Sequence, residues 1–113
     1  MAKVKKFCFD LDGVICNLVK DNNYKLARPI KKNIKKINEL YDLGHYILIF
    51  TARYMGRNKD EPKIAIKQGY SLTEKQLKKW KVCYSRLLLG KPSFDILIDD
   101  KSIFFKKNWH LYL

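Results

Sequence analysis

Apolar and polar positions alternate along this chain with two periods, one near two residues and one near 3.6, and the two follow each other in turn. Residues 3–9 (KVKKFCF) place Phe7 and Phe9 on one face and Cys8 on the other, which predicts a strand. Residues 14–28 are irregular and polar in the middle, with DNN as a turn signal. Pro29 suits the first turn of a helix. Ile30, Ile34, Ile37 and Tyr41 then recur at intervals of four, three and four, one helical face. Gly44 suits the position past that helix. HYILIF (45–50) is a short unbroken apolar run, as expected for a strand buried on both faces of a parallel sheet. Residues 54–70 are polar and interrupted by Gly56, Pro62 and Gly69, with room for a helical segment near 62–68. SLTEKQLKKW (71–80) predicts a helix capped by Ser71 or Thr73, Glu74 completing a capping box with Ser71. KVCYSRLLL (81–89) and FDILIDD (94–100) read as two further strands around a GKPS loop. KSIFFKKN suggests a short helix, and WHLYL a last edge strand.

Strands alternating with helices imply right-handed crossovers and a parallel sheet. The expectation is therefore a single α/β domain over residues 1–113, a Rossmann-like three-layer α/β/α sandwich on a five-stranded parallel sheet. In such sheets the ligand site lies off the carboxyl ends of the strands. Those ends carry Asp10 and Asp12, then Thr51 and Arg53, then Lys91 on the following loop, then Asp99 and Asp100. All the chemistry-bearing strand endings thus fall on one edge.

The chain has 113 residues, 47% of them hydrophobic, enough for one domain with a real core. No apolar run approaches the ~20 residues of a membrane span, and the basic start leads into a strand rather than a signal peptide's apolar region. A cytoplasmic protein with no membrane partner is expected. Three cysteines, Cys8, Cys16 and Cys83, form no CxxC pair and suit a reducing compartment. Each reads as a small buried hydrophobe, although Cys16 lies close to the aspartates. The formal net charge is +13, carried almost wholly by lysine in scattered clusters. Base readout leans on arginine, so the charge fits solvated surfaces that attract small phosphorylated anions, with nucleic acid the less favoured partner.

FDLDGV, then IFTAR, then GKP, then LIDD resembles the four ordered motifs of the haloacid dehalogenase superfamily of phosphohydrolases. The resemblance spans residues 4 to about 102. It implies a phosphatase that forms an aspartyl-phosphate with Mg²⁺ as cofactor. Asp10 matches the nucleophile. Asp12 matches the acid–base residue, which would need a carboxyl pKa raised toward neutrality, and its carbonyl oxygen is expected at the metal. Thr51 matches the hydroxyl that bonds the transferring phosphoryl group. Lys91 matches the lysine that pairs with the nucleophile and a phosphoryl oxygen. Asp99 and Asp100 match the last acids, Asp100 being the favoured direct metal ligand. Arg53, two residues after Thr51, is placed to contact substrate. Tyr54 and Arg57 follow it and suit the surface at least as well.

The spacing between motifs leaves no room for a cap domain, so the site is expected to be open unless the 14–28 loop or another subunit covers it. The favoured activity is hydrolysis of a small phosphorylated metabolite such as a sugar phosphate. The alternatives are a polynucleotide 3′-phosphatase, a phosphoprotein phosphatase, and a basic nucleic-acid-binding module without catalysis. A response-regulator receiver gathers similar residues, but its phosphoacceptor ends a middle strand, where this chain has Thr51.

Overall fold

The structure, a computed structural model, describes residues 3–103 and 106–113. Three parallel strands form the sheet: β1 (Lys6–Phe9), β2 (Tyr46–Thr51) and β3 (Arg86–Leu89), in the order β1-β2-β3. Helix α1 (Lys31–Asp42) connects the first two and helix α2 (Pro62–Lys79) the second two. The register pairs Phe7 with Ile47, Phe9 with Ile49, Ile49 with Leu87 and Thr51 with Leu89. Paired residues of parallel strands share a face. One face therefore carries Phe7, Phe9, Ile47, Ile49, Thr51, Leu87 and Leu89, and all but the half-buried Phe7 are buried.

The core sits between that face and the helices. Ile34, Ile37 and Leu40 of α1, Leu77 of α2, and Leu11 and Ile15 of the loop after β1 fill it. The expected apolar stripe of α1 is present, apart from Tyr41, which is exposed. Gly44 follows the helix as expected. Asn38 then ties α1 to the entry of β3, donating to the Lys81 carbonyl and accepting from the Cys83 N–H.

The five-stranded, three-layer expectation is corrected. Among the described residues the sheet has three strands, and its opposite face (Cys8, Leu48, Phe50, Leu88) has no buried residue. HYILIF is accordingly buried on one face, not on both. The reason lies in the connectivity. An order that advances one way across the sheet, with right-handed crossovers, puts both helices on the same side. Covering the other side needs the chain to reverse past β1 and cross again, and the described residues after β3 hold no further strand or α-helix.

Residues 94–100 form no strand, and Ile96 and Ile98 are 81% and 94% exposed. An apolar run states what burial would favour; a strand also needs a partner edge for its N–H and C=O groups. WHLYL forms a 3-10 turn (Trp109–Tyr112) that packs the Trp109 ring 5.4 Å from that of Phe9. The helix expected over 101–108 falls partly on residues 104 and 105, outside the described residues, and its remainder is not helical. The two short helices expected across 62–80 are one, so Ser71 and Glu74 lie mid-helix rather than at a cap.

Candidate active site

The site is built where β1 and β2 end and where the chain leaves β3. After Phe9 the chain turns around Leu11, whose carbonyl accepts the N–H groups of Val14, Ile15 and Cys16. Leu11 is fully buried and pins the turn between two aspartates that stay partly open. Asp10 Oδ1 accepts the Leu11 N–H at 2.7 Å, and Asp10 Oδ2 lies 3.4 Å from Lys91 Nζ. Lys91 reaches it because Gly90, at φ 96°, turns the chain in a conformation that favours glycine. The Lys91 N–H then donates to the Thr51 carbonyl at 3.2 Å, which fastens the loop after β3 to the end of β2. Thr51 itself is buried, and its Oγ1 accepts the Arg53 N–H at 3.1 Å.

Arg53 has a different place from the substrate-contacting one expected of it. Its side chain is wholly buried and all five of its guanidinium N–H groups have acceptors inside the protein. Nε donates to Asp12 Oδ2 at 2.9 Å, and one terminal nitrogen donates to Asp12 Oδ1 at 3.0 Å and to Cys16 Sγ at 3.6 Å. The other donates to Gln76 Oε1 at 2.6 Å and Thr73 Oγ1 at 3.3 Å. The guanidinium also stacks 4.7 Å from the centre of the Tyr24 ring. Asp12 is thus held by a forked cation that meets both of its oxygens.

Cys16 completes the cluster. Burial pushes its thiol up to about 12; the Asp12 charge adds to this and the Arg53 charge opposes it. Cys16 therefore remains a neutral S–H donor toward Asp12 Oδ1, at 3.3 Å, and is no nucleophile.

Asp99 and Asp100 do not join this group. Both are exposed, and the Asp99 carboxylate accepts the N–H of nearby Lys101. Asp99 nevertheless lies within electrostatic reach of β1. Cys8 is exposed, yet partial desolvation by its neighbours first, then Asp10 and Asp99, raise the pKa of its thiol, while Lys91 lowers it. Among the described residues no three His, Cys, Asp or Glu side chains gather closely enough to hold a metal ion. Mg²⁺, however, is commonly held by one or two carboxylates, with water and substrate phosphate completing the shell. The open Asp10 carboxylate suits that role, and so does the Asp12 carbonyl, which accepts no hydrogen bond among the described residues.

Sequence reasoning placed Asp10, Asp12, Thr51, Arg53, Lys91, Asp99 and Asp100 at one sheet edge; the structure brings the first five together and leaves Asp99 and Asp100 exposed outside them. It missed Tyr24, Thr73 and Gln76. The signal for two of them was available: the inward stripe of α2 runs Ala65, Gly69, Thr73, Gln76 and Leu77, with polar side chains where a core stripe should be apolar.

Tyr54 and Arg57 extend the cluster outward. The Arg57 guanidinium stacks 4.6 Å over the Tyr54 ring and donates to the Asn22 carbonyl, bracing the 14–28 loop. No helix of the described residues is long and apolar enough to cross a membrane.

No protein-family model matches the chain, and no curated protein matches it. A solved structure of a structural-genomics target from Vibrio cholerae superposes with a TM-score of 0.82. The two are 24% identical, over 96% of this chain and 95% of that one. At that identity the likeness shows the fold alone.

Proposed function

We propose that the chain is a Mg²⁺-dependent phosphatase of the haloacid dehalogenase type, acting on a small phosphorylated metabolite such as a sugar phosphate. One observation carries the reading: a solvent-accessible carboxylate, Asp10, sits at a strand's carboxyl end with one ammonium, Lys91, 3.4 Å from its outer oxygen. Beside it the second carboxylate has its own cation, so Lys91 is free to serve Asp10 and an arriving phosphoryl oxygen.

In this reading an Asp10 oxygen attacks phosphorus in line, the bond to the ester oxygen breaks, and Lys91 stabilises the charge that spreads over the phosphoryl oxygens. Asp12 passes a proton to the leaving oxygen and takes one from the water that then cleaves the acyl phosphate, releasing phosphate and restoring Asp10. Oδ2 of Asp12 is the oxygen with capacity for that proton. Among the described residues it accepts from Arg53 Nε alone, whereas Oδ1 also receives a terminal guanidinium N–H and the Cys16 thiol. Thr51 serves from behind, fixing Lys91 through its carbonyl and Arg53 through its hydroxyl. When bound, Mg²⁺ would neutralise the charge of the substrate dianion; the Asp10 carboxylate and the Asp12 carbonyl would hold it, and the resemblance assigns Asp99 or Asp100 as a further oxygen ligand.

The formal net charge of +13 favours a second reading on the same machinery, a 3′-phosphorylated polynucleotide as substrate. A phosphate-release screen over sugar phosphates, nucleotides, phosphopeptides and 3′-phosphorylated oligonucleotides decides between them. Preference for sugar phosphates is expected, and preference for oligonucleotides transfers the proposal to the second reading. No turnover of any substrate or of p-nitrophenyl phosphate, under any divalent metal, contradicts both. Salt-sensitive oligonucleotide binding without turnover leaves a binding module instead.

A further inference from the structure

We propose that Arg53 is a positioning residue for the reaction, and that helix α2 aims the acid–base carboxylate through it. The inference rests on the phosphatase reading. A carboxylate on a short turn rotates freely about its last torsion unless something holds it, and misplacing a catalytic group by about 1 Å can cost ~10²-fold in rate. The Arg53 fork meets both oxygens of Asp12 and fixes the plane of the carboxylate.

Arg53 can do this only because it is itself held. Its far nitrogen is clamped by Gln76 and Thr73, one turn apart on the inward stripe of α2, and its plane lies against Tyr24. Gln76 is the junction. Its Oε1 accepts from Arg53, and its Nε2 donates to the Tyr24 carbonyl at 2.6 Å. The rigid helix, the 14–28 loop and the turn after β1 are thereby joined through one buried side chain. A lysine would keep the charge but not the fork, since an ammonium cannot span two carboxylate oxygens and two further acceptors in one plane. With no N–H left over, Arg53 has nothing to offer substrate, which separates positioning from binding.

Steady-state turnover of p-nitrophenyl phosphate with Mg²⁺ tests this on the full chain, alongside thermal melts of each variant. For Arg53→Lys the expectation is a fall in kcat of ~10–100-fold with KM nearly unchanged, because what is lost is aim rather than affinity. Gln76→Glu keeps the side chain's size but gives Arg53 a competing carboxylate; the same split, in smaller degree, is expected. For Arg53→Ala, added methylguanidinium should restore part of kcat without a matching rise in melting temperature. Wild-type kcat in a folded Arg53→Lys overturns the inference, and so does a rise in KM alone, the mark of direct substrate contact. If Arg53→Lys does not fold, unchanged kinetics in Gln76→Glu overturn it. Absence of turnover in the wild type is a different result: it removes the phosphatase reading on which the inference stands.

Discussion

Burying a guanidinium is costly unless each N–H finds an acceptor, and removing one partner of a buried ion pair costs far more than the pair itself contributes. Two aspartates only two positions apart should therefore behave oppositely. Asp12→Ala strands the buried Arg53 charge and should lose about 3–5 kcal/mol of stability. Asp10 is 41% exposed and faces a lysine in contact with solvent, so Asp10→Asn should change stability by less than about 1 kcal/mol. Urea denaturation of both variants checks the contrast; equal losses would place the buried charge elsewhere. Cys16 gives a pH test of the same cluster. Its folded pKa is raised from 9.0 to about 12, so above about 9 the unfolded chain gives up a proton that the native chain keeps. The stability this thiol contributes is complete below that pH and is lost as pH rises toward 12. Cys8, Tyr24 and Tyr84 are shifted in the same direction, so Cys16→Ala should reduce the alkaline loss without removing it. Urea midpoints followed from neutral pH up through that window measure it.

Among the elements, α2 shows how tertiary contact overrides a local signal. Gly69 reads as a helix breaker, yet the helix runs through it because a single mid-helix glycine costs only about 1 kcal/mol. Its value is space. A Cβ there would meet the Tyr54 ring at 2.3 and 2.5 Å, far inside van der Waals contact. Gly69→Ala therefore sets a gain in helix propensity of about 1 kcal/mol against an overpacking cost of about 1–3 kcal/mol. A net loss is expected, and Tyr54→Ala in the same chain should restore the gain. Residues 94–100 teach the converse. Their composition is that of a buried strand, and their exposure is that of a loop, because pairing depends on a distant edge that the residues themselves do not encode. Ile98→Ser should consequently shift the urea midpoint little, within about 0.5 kcal/mol, whereas the fully buried Ile49→Ala should lose about 2–5 kcal/mol. A comparable loss at Ile98 would mean that the segment is packed.

At the scale of the whole molecule, the parallel sheet, α1 and the meeting of Asp10, Asp12, Thr51, Arg53 and Lys91 were legible in the sequence. Strand ends on one sheet edge follow from topology alone. The inward turn of Arg53 was not legible, because it depends on Gln76 and Thr73 meeting it from a helix some twenty residues on. The number of strands was not legible either, since periodicity counts candidates rather than pairings. What joins the residues into a proposed function is the claim that Asp10 becomes covalently phosphorylated. Acid-quenched mass spectrometry of the full chain, mixed with p-nitrophenyl phosphate and Mg²⁺, tests this most directly. The account predicts a phosphoryl adduct on the peptide containing Asp10 that builds within the first turnover, decays as substrate is consumed and never forms in Asp10→Asn. Turnover that proceeds with no adduct, or an adduct that persists in Asp10→Asn, would contradict it.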